Sequence, residues 1–97
     1  MNAPRVFALR QSYPNPFNAQ VTIKYELPKT ASVKFMIYNM LGQQVRMLVD
    51  QVQPAGYYTV QWDGRNANGH EVASGVYLYR LTTSTGFSQT RRMTLVK

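Results

Sequence analysis

Short segments in which apolar and polar residues alternate occur along the whole chain, and they limit its fold more than any other feature. The clearest segment runs from Val21 to Leu27, where every second residue is apolar and the residues between are Thr, Lys and Glu. A period of two places one set of side chains on each face of a β-strand. Turn-forming residues separate the segments, and none of the segments repeats with the period of a helix. The chain is therefore predicted to be all-β.

Seven such segments are predicted to be strands: residues 6–10, 21–27, 33–38, 43–50, 57–62, 72–81 and 87–96. Short strands at regular spacing are typical of a β-sandwich of immunoglobulin or fibronectin type. A chain of 97 residues suits one domain with a thin core. We therefore expect residues 1–97 to form a single immunoglobulin/fibronectin-like β-sandwich of about seven antiparallel strands.

The stretch from Tyr57 to Leu81 is predicted to form a hairpin at the centre of the fold. Residues 63–69 between its two alternating segments are rich in turn formers and end in Asn-Gly. Gly75 is expected to permit a bulge or the close approach of a neighbouring backbone at the start of the second strand. Trp62 stands between two polar residues in an alternating segment, so we expect it to be the largest side chain in the core.

The alternation breaks once inside a strand. Residues 43–50 carry apolar side chains on one face at Val45, Met47 and Val49, but Leu48 falls out of this pattern. A bulge or a change of sheet near Leu48 would explain the break, and a short helical turn stays open as an alternative.

Two further predictions concern loops and tyrosines. The prolines within Tyr13–Asn18 cannot donate to a β-ladder, so this segment is predicted to form an extended, turn-rich corner. Phe17 is expected to fold back from the corner and cap one end of the core. Tyr77 or Tyr79 is predicted to donate its hydroxyl to the backbone as a tyrosine corner, the alternative being that both simply lie at the edge of the core.

The net charge of +7, from 11 Lys and Arg against 4 Asp and Glu, permits an anionic partner. The basic residues are scattered, and only Arg91, Arg92 and Lys97 form a local cluster. No run resembles an RNA-recognition signature, a helix-turn-helix or an arginine-rich arm, so no nucleic-acid partner is expected. The chain has no cysteine, which excludes disulfides and cysteine-based zinc or redox sites.

Catalytic and metal-binding patterns do not stand out in the sequence. The 4 acidic residues and His70 show no pairing at a spacing suited to general acid and base catalysis, so we predict a non-enzyme without a cofactor. Residues 63–69 resemble a calcium loop only faintly, because Gly64 would stand where the first acid belongs. A turn without metal is therefore favoured.

Aromatic residues leave one alternative function open. Tyr38, Tyr57 and Trp62 would give a sugar-stacking platform if all three were exposed, as in a carbohydrate-binding accessory module of a secreted glycoside hydrolase. The alternation that places Trp62 in the core argues against this reading.

The N-terminal residues carry no targeting signal. Met1–Arg5 leads into no apolar region, so no signal peptide is predicted, and no apolar run approaches the length of a membrane span. We expect the chain to be a module of a longer protein whose export signal lies upstream.

Five pieces of the sequence carry a resemblance to a known family: residues 13–18, 37–45, 54–56, 62–65 and 74–81. In this order, they resemble the type A C-terminal sorting domain of the type IX secretion system of Bacteroidetes-related bacteria. The resemblance is nearly chain-long, from about Leu9 to Lys97, and includes a basic, apolar C-terminal end. Residues 33–81 are also similar to the Ig-like domain of flagellar hook-capping proteins. The motif residues are Pro14, Asn15, Pro16, Phe17, Gly42, Trp62, Asp63, Gly64, Gly75, Tyr77 and Tyr79.

This resemblance implies a role in protein targeting rather than catalysis. It implies a C-terminal domain that directs a secreted cargo protein across the outer membrane to the cell surface. The implied partners are the translocon and sortase components, the upstream cargo domain and the lipopolysaccharide of the cell surface. The hook-capping similarity offers a structural module as the alternative.

The final strand is predicted to carry the recognition signal. A terminal strand at a sheet edge offers unpaired N–H and C=O groups to a partner, and Arg91, Arg92 and Lys97 could pair with acidic groups on it. The alternative is that the strand only completes the sandwich, while its basic residues protect the edge from aggregation.

Overall fold

The computed structural model describes residues 3–97, which form seven strands and no helix. Met1 and Asn2 lie outside the described residues, and the prediction that no signal peptide is present rests partly on them. The strands are β1 (Ala8–Leu9), β2 (Val21–Leu27), β3 (Ala31–Asn39), β4 (Gln44–Gln53), β5 (Gly56–Trp62), β6 (Gly75–Thr83) and β7 (Ser88–Leu95).

The strands form two antiparallel sheets that pack face to face. One sheet has the order β1-β2-β5 and the other has the order β4-β3-β6-β7. Ring contacts join the sheets: the Tyr25 and Phe35 centroids lie 5.7 Å apart, and those of Trp62 and Tyr77 lie 5.3 Å apart. The predicted immunoglobulin-like sandwich of seven antiparallel strands is confirmed.

The core contains the side chains that the alternation predicted. Every second residue from Val21 to Leu27 is buried, and Trp62 is fully buried and is the largest such side chain. Phe17 is also buried, with its ring centroid 5.8 Å from that of Trp62. The predictions for Trp62 and Phe17 are confirmed.

The predicted central hairpin from Tyr57 to Leu81 is wrong. Strand β5 pairs with β2 in one sheet, whereas β6 pairs with β3 and β7 in the other. Residues 63–74 cross between the sheets and close on themselves instead of joining two paired strands. The Asn66 side chain accepts hydrogen bonds from the amides of Asn68 and His70, both at 3.0 Å. Hydrogen bonds within the loop therefore satisfy backbone amides of the loop, but the turn-forming residues do not determine which strands pair.

Strand β4 contains the predicted bulge at Leu48. Val49 lies opposite Phe35 and Met47 lies opposite Met36, so Leu48 has no residue opposite it in β3. A second irregularity leaves Val45 without a residue opposite it. Each extra residue switches the side chains that follow it to the other face of the sheet. As a result, Val45, Leu48 and Val49 pack on the core. The prediction that Met47 shares a face with Val45 and Val49 is wrong, because its side chain lies on the solvent side and is 40% exposed.

Gly75 has a simpler role than predicted. It pairs regularly with Leu95, and nothing lies within 4 Å of the position that a Cβ would take. Neither a bulge nor a close backbone approach is present at Gly75. Its φ of 151° is a conformation that side chains disfavour, and this explains the glycine.

Candidate functional site

Residues from four of the five motif pieces meet at one end of the sandwich, whereas residues 54–56 lie at the opposite end, where Gly56 pairs with Leu27. Phe17, Trp62 and Tyr77 form a chain of ring contacts where the four pieces meet. A Cβ on Gly64 would lie 3.7 Å from Leu95 Cδ2, so the turn after β5 also contacts the end of β7. We call this region, formed by Phe17, Trp62, Gly64, Tyr77 and Leu95, the motif end.

The turn after β5 holds the indole ring in place. Trp62 Nε1 donates to the carbonyl of Arg65 at 2.9 Å, and the Asp63 carboxylate accepts from the Arg65 amide at 3.1 Å. Gly64 has a φ of 74°, which favours glycine. Asp63 also lies 3.4 Å from Arg46. Among residues 3–97, no three His, Asp or Glu side chains lie close enough to hold a metal ion.

The turn that contains Gly42 lies at the same end, after β3. Asn39 Oδ1 accepts hydrogen bonds from the amides of Leu41 and Gln43, both at 3.0 Å. Gly42 has a φ of 82°, and its amide donates to the Asn39 carbonyl at 3.0 Å. The turn leaves Met40 and Leu41 exposed.

Two tyrosine hydroxyls bind the backbone, where the sequence predicted that Tyr77 or Tyr79 would do so. Tyr77 donates to the carbonyl of Ala73, four residues upstream, at 2.6 Å, which is the contact of a tyrosine corner. Tyr79 donates to the Arg10 carbonyl and accepts from the Ser12 amide, both at 2.9 Å. Burial raises the pKa of both tyrosines, although for Tyr79 the Ser12 amide and the Arg91 charge oppose the rise. Tyr79 therefore joins the segment after β1 to the four-stranded sheet.

Strand β7 is an edge strand, and the proline-rich corner covers one half of its free edge. Asn15 Oδ1 accepts from the Thr94 amide at 3.0 Å, and the Phe17 amide donates to the Thr94 carbonyl at 2.8 Å. The Val96 amide donates to the Phe17 carbonyl at 2.8 Å. Asn15 and Phe17 therefore protect the end of β7 next to Leu95.

The other half of this edge is largely open. Backbone groups of alternate residues point to the same side of a strand, so Ser88, Thr90 and Arg92 direct theirs away from β6 as Thr94 does. Within the described chain, the one partner of these groups is the Gln11 side chain, which donates to the Arg92 carbonyl at 3.1 Å. Sequence reasoning missed this contact, because Gln11 and Arg92 are 81 positions apart and no local pattern joins them.

A family model described as "FlgD Ig-like domain" matches residues 15–86. This chain belongs to the FlgD Ig-like domain family. The predicted similarity to flagellar hook-capping proteins is thereby confirmed. No curated protein sequence matches the chain significantly.

Three solved structures share the fold of this FlgD Ig-like domain. PorZ of Porphyromonas gingivalis, described as an essential bacterial surface component of the type IX secretion system, has 25% identity and a TM-score of 0.64 over 90% of this chain. Dimeric latent PorU from the same organism has 22% identity and a TM-score of 0.75 over 94%. FlgD from P. aeruginosa has 26% identity and a TM-score of 0.61 over 77%. The chain spans 11%, 9% and 59% of these three proteins, respectively.

The FlgD Ig-like fold separates the three charges that were predicted to act together. Arg91 is half-buried, and its Nε donates to the Leu9 carbonyl at 2.7 Å. Arg92 is exposed on the opposite face of β7. Lys97 Nζ lies 3.5 Å from Glu71, and the Lys97 amide donates to Ser74 Oγ at 3.2 Å. Arg92 is therefore the one member of the trio whose side chain has neither a hydrogen-bond nor an ion-pair partner among residues 3–97.

The sugar-stacking platform does not form in this FlgD Ig-like domain. Trp62 is fully buried, Tyr38 lies near the end of β3 in the four-stranded sheet, and Tyr57 lies near the start of β5 in the other sheet. The three aromatic side chains therefore share no surface. No helix in the described part of the chain is long and apolar enough to cross a membrane.

Proposed function

We propose that this domain is a non-catalytic sorting and anchoring module at the C-terminus of a longer secreted protein. It directs the cargo through the type IX secretion system to the cell surface. The observation that carries the proposal is the likeness to PorZ, a surface component of that system, over 90% of this chain. The convergence of the motif residues with the end of β7 supports it, because it gives these residues a shared structural role.

The open half of the β7 edge is the recognition element in this proposal. Ser88 and Thr90 present outward N–H and C=O groups, and Arg92 presents an outward N–H; an extended segment of a translocon or sortase component adds to these groups as a further strand. Arg92 supplies an accessible charge beside this edge. Arg91 and Lys97 act within the domain, because each already has a partner there.

The two ends of the described chain lie at opposite ends of the sandwich. Ala8 pairs with Glu26 near the end of β2, and Phe7 stacks on Phe87 beyond the start of β7, at a centroid distance of 5.3 Å. The chain leaves past Leu95 at the motif end. A cargo domain joined upstream thus enters far from the motif end. The motif end remains free to meet the lipopolysaccharide of the cell surface, whereas the open half of the β7 edge begins at the end where the cargo domain joins.

A reporter fusion tests this function. The domain is joined to the C-terminus of a periplasmically exported fluorescent protein in a bacterium with type IX secretion and in an isogenic strain without the system. The fusion should reach the cell surface in the first strain alone. Retention of a folded fusion in the periplasm of both strains would show that the domain is no sorting signal.

A proline substitution tests the open edge. Thr90→Pro removes an outward N–H and leaves the hydrogen bonds between β6 and β7 in place, because proline is tolerated at a free edge. Its matched control is Thr90→Val, which keeps the amide. Surface reporter should fall with Thr90→Pro and not with Thr90→Val, while thermal melting shows that both variants fold. Equal export of folded Thr90→Pro would refute strand addition at this edge.

A structural role without sorting is the second candidate. The family match to residues 15–86 and the likeness to FlgD from P. aeruginosa favour it. A purely structural module would leave the reporter in the periplasm of both strains, so the fusion experiment separates the two functions.

A further inference from the structure

The outer face of the four-stranded sheet carries a cluster of aromatic, methionine and arginine side chains. The register places Tyr38, Leu78 and Arg92 in one row across the sheet. Met47, Met36, Arg80 and Thr90 form the next row. We call the surface formed by Met36, Tyr38, Met47, Leu78, Arg80 and Arg92 the Tyr38–Arg92 face.

The side chains of this face are packed together, and both of its arginines remain exposed. The Arg80 guanidinium lies over the Tyr38 ring, 5.2 Å from its centroid, and Arg80 Nε donates to Thr90 Oγ1 at 3.1 Å. Met36 points outward yet is only 8% exposed, because its neighbours cover it. Arg92 lies diagonally across the strand pair from Arg80, so the two cations are close neighbours.

No acidic residue balances this face. Within residues 3–97, Glu26 pairs with Arg10 on the other sheet, while Asp63 and Glu71 pair with basic residues in and near the loop after β5. Asp50 lies opposite Lys34, in the row next to the one that contains Met36 and Arg80. The two rows that contain Arg80 and Arg92 therefore hold positive charge without a carboxylate.

The composition of the face is that of a protein interface. Tyrosine, methionine and arginine are enriched in the buried parts of interfaces, whereas lysine, aspartate and glutamate are depleted there. Tyrosine and arginine, with tryptophan, are also enriched among the residues that dominate binding energy. The face adjoins the open half of the β7 edge, because Arg92 belongs to both.

We propose that the Tyr38–Arg92 face docks an acidic protein surface whose carboxylates meet Arg80 and Arg92 and whose apolar groups cover Tyr38, Leu78 and the two methionines. The inference rests on the proposed function in one respect, since it takes the acidic protein to be a component of the secretion machinery. Charge complementarity selects an acidic partner, and the contiguous edge allows the same partner to add a strand at β7.

Charge substitutions on two faces test this docking surface in the reporter fusion. The variant Arg80→Gln, Arg92→Gln removes both charges from the face, and the control Lys24→Gln, Lys29→Gln removes two charges elsewhere. Surface reporter should fall at least about tenfold in the first variant and stay near the wild-type level in the control. Melting curves and near-UV circular dichroism show whether both variants are folded.

The outcomes separate this inference from the function on which it rests. An unmodified fusion that is not exported refutes the sorting function. Normal export of the wild type and of the folded arginine variant refutes the docking surface alone. An equal loss in the lysine control also refutes it, because net charge rather than this face would then matter.

Photocrosslinking identifies the class of partner. A photoreactive phenylalanine analogue at position 78 should crosslink in living cells to a protein of acidic isoelectric point, and the crosslink should disappear with Arg80→Gln, Arg92→Gln. A lipopolysaccharide ladder, or a protein crosslink that survives the arginine substitutions, would overturn the proposal.

Discussion

Trp62 combines apolar burial with one specific polar contact. Its ring is fully buried between Phe17 and Tyr77, and its N–H donates to the Arg65 carbonyl, so the largest core side chain leaves no buried donor unpaired. A buried indole without this partner would lose about 1–3 kcal/mol through desolvation of the N–H group. The sequence Trp-Asp-Gly-Arg is thus a structural unit in which the turn supplies the acceptor for the ring.

Replacing Trp62 with alanine should lower the free energy of unfolding by about 3–5 kcal/mol, because it leaves a large cavity between the sheets. Urea denaturation followed by far-UV circular dichroism measures this change. The control Tyr57→Ala removes an aromatic side chain that is 65% exposed and should cost no more than about 0.5 kcal/mol. Similar losses in both variants would contradict the central place of Trp62 in the core.

Tyr25 makes the stability of the domain sensitive to alkaline pH. Burial raises its pKa from 10.0 to about 12, an effect to which Tyr58 adds and which the hydrogen bond to Gln53 opposes. Since the folded pKa lies above the unfolded one, this contribution is fully present below about pH 10 and is lost as pH rises towards 12. The free energy of unfolding should fall by up to about 1.4 kcal/mol per pH unit in that window.

The measurement is the urea midpoint at several pH values above and below about 10, the reference pKa of tyrosine. Tyr25→Phe should show a shallower alkaline decline, although it is less stable at neutral pH because Gln53 loses its donor. A decline of equal slope in the variant would assign the effect to other groups.

At the scale of elements, alternate side chains of β7 have different roles, because one set faces the core and the other faces solvent. Met93 and Leu95 are buried in the core, whereas Thr90 and Arg92 face solvent. Arg91 lies on the inner side, where it joins β7 to the carbonyl of Leu9 in β1. The final strand therefore closes the gap between the two sheets at one side of the sandwich.

Arg91→Gln should lower the free energy of unfolding by about 1.5–3 kcal/mol, the range for a hydrogen bond to a charged group. Arg92→Gln should change it by no more than about 0.5 kcal/mol, because this guanidinium is exposed. The two variants have the same net charge, so a difference between their melting temperatures reports only the position of the lost arginine. Equal melting temperatures would show that the contact between Arg91 and Leu9 contributes nothing to stability.

At the scale of the whole molecule, the fold is larger than the segment that the family model matches. The match ends at residue 86, before β7, and begins after β1. Leu9, Met93 and Leu95 lie outside the match yet are buried in the same core as Trp62. Strands β1 and β7 are therefore integral to the folding unit.

A chain that ends at Gly86 should show no cooperative unfolding transition, because it lacks Met93 and Leu95 and exposes the edge of β6. Near-UV circular dichroism and the emission maximum of Trp62 report the loss of packing. The control removes Lys97 alone, and with it a solvent-exposed ion pair worth no more than about 1 kcal/mol, so it should remain folded. A native spectrum from the longer truncation would show that β7 is dispensable for folding.

The sequence alone determined which segments are strands and, outside β4, which side chains of the main strands face inward. The alternation from Val21 to Leu27, the break at Leu48 and the backbone contact of Tyr77 all depend on residues within a few positions of one another. Local backbone geometry sets the period of two, so a short window of sequence contains the information that these features require.

Only the tertiary structure decided how the strands pair and which parts of the edge stay open. The two strands on either side of residues 63–74 alternate like a hairpin, yet they belong to different sheets. The hydrogen bonds from the Thr94 amide to Asn15 and from Arg91 to the Leu9 carbonyl join residues 79 and 82 positions apart, respectively. Such pairings depend on the packing of both sheets around one core, and because alternation specifies only the face of a strand, it leaves the neighbouring strand undetermined.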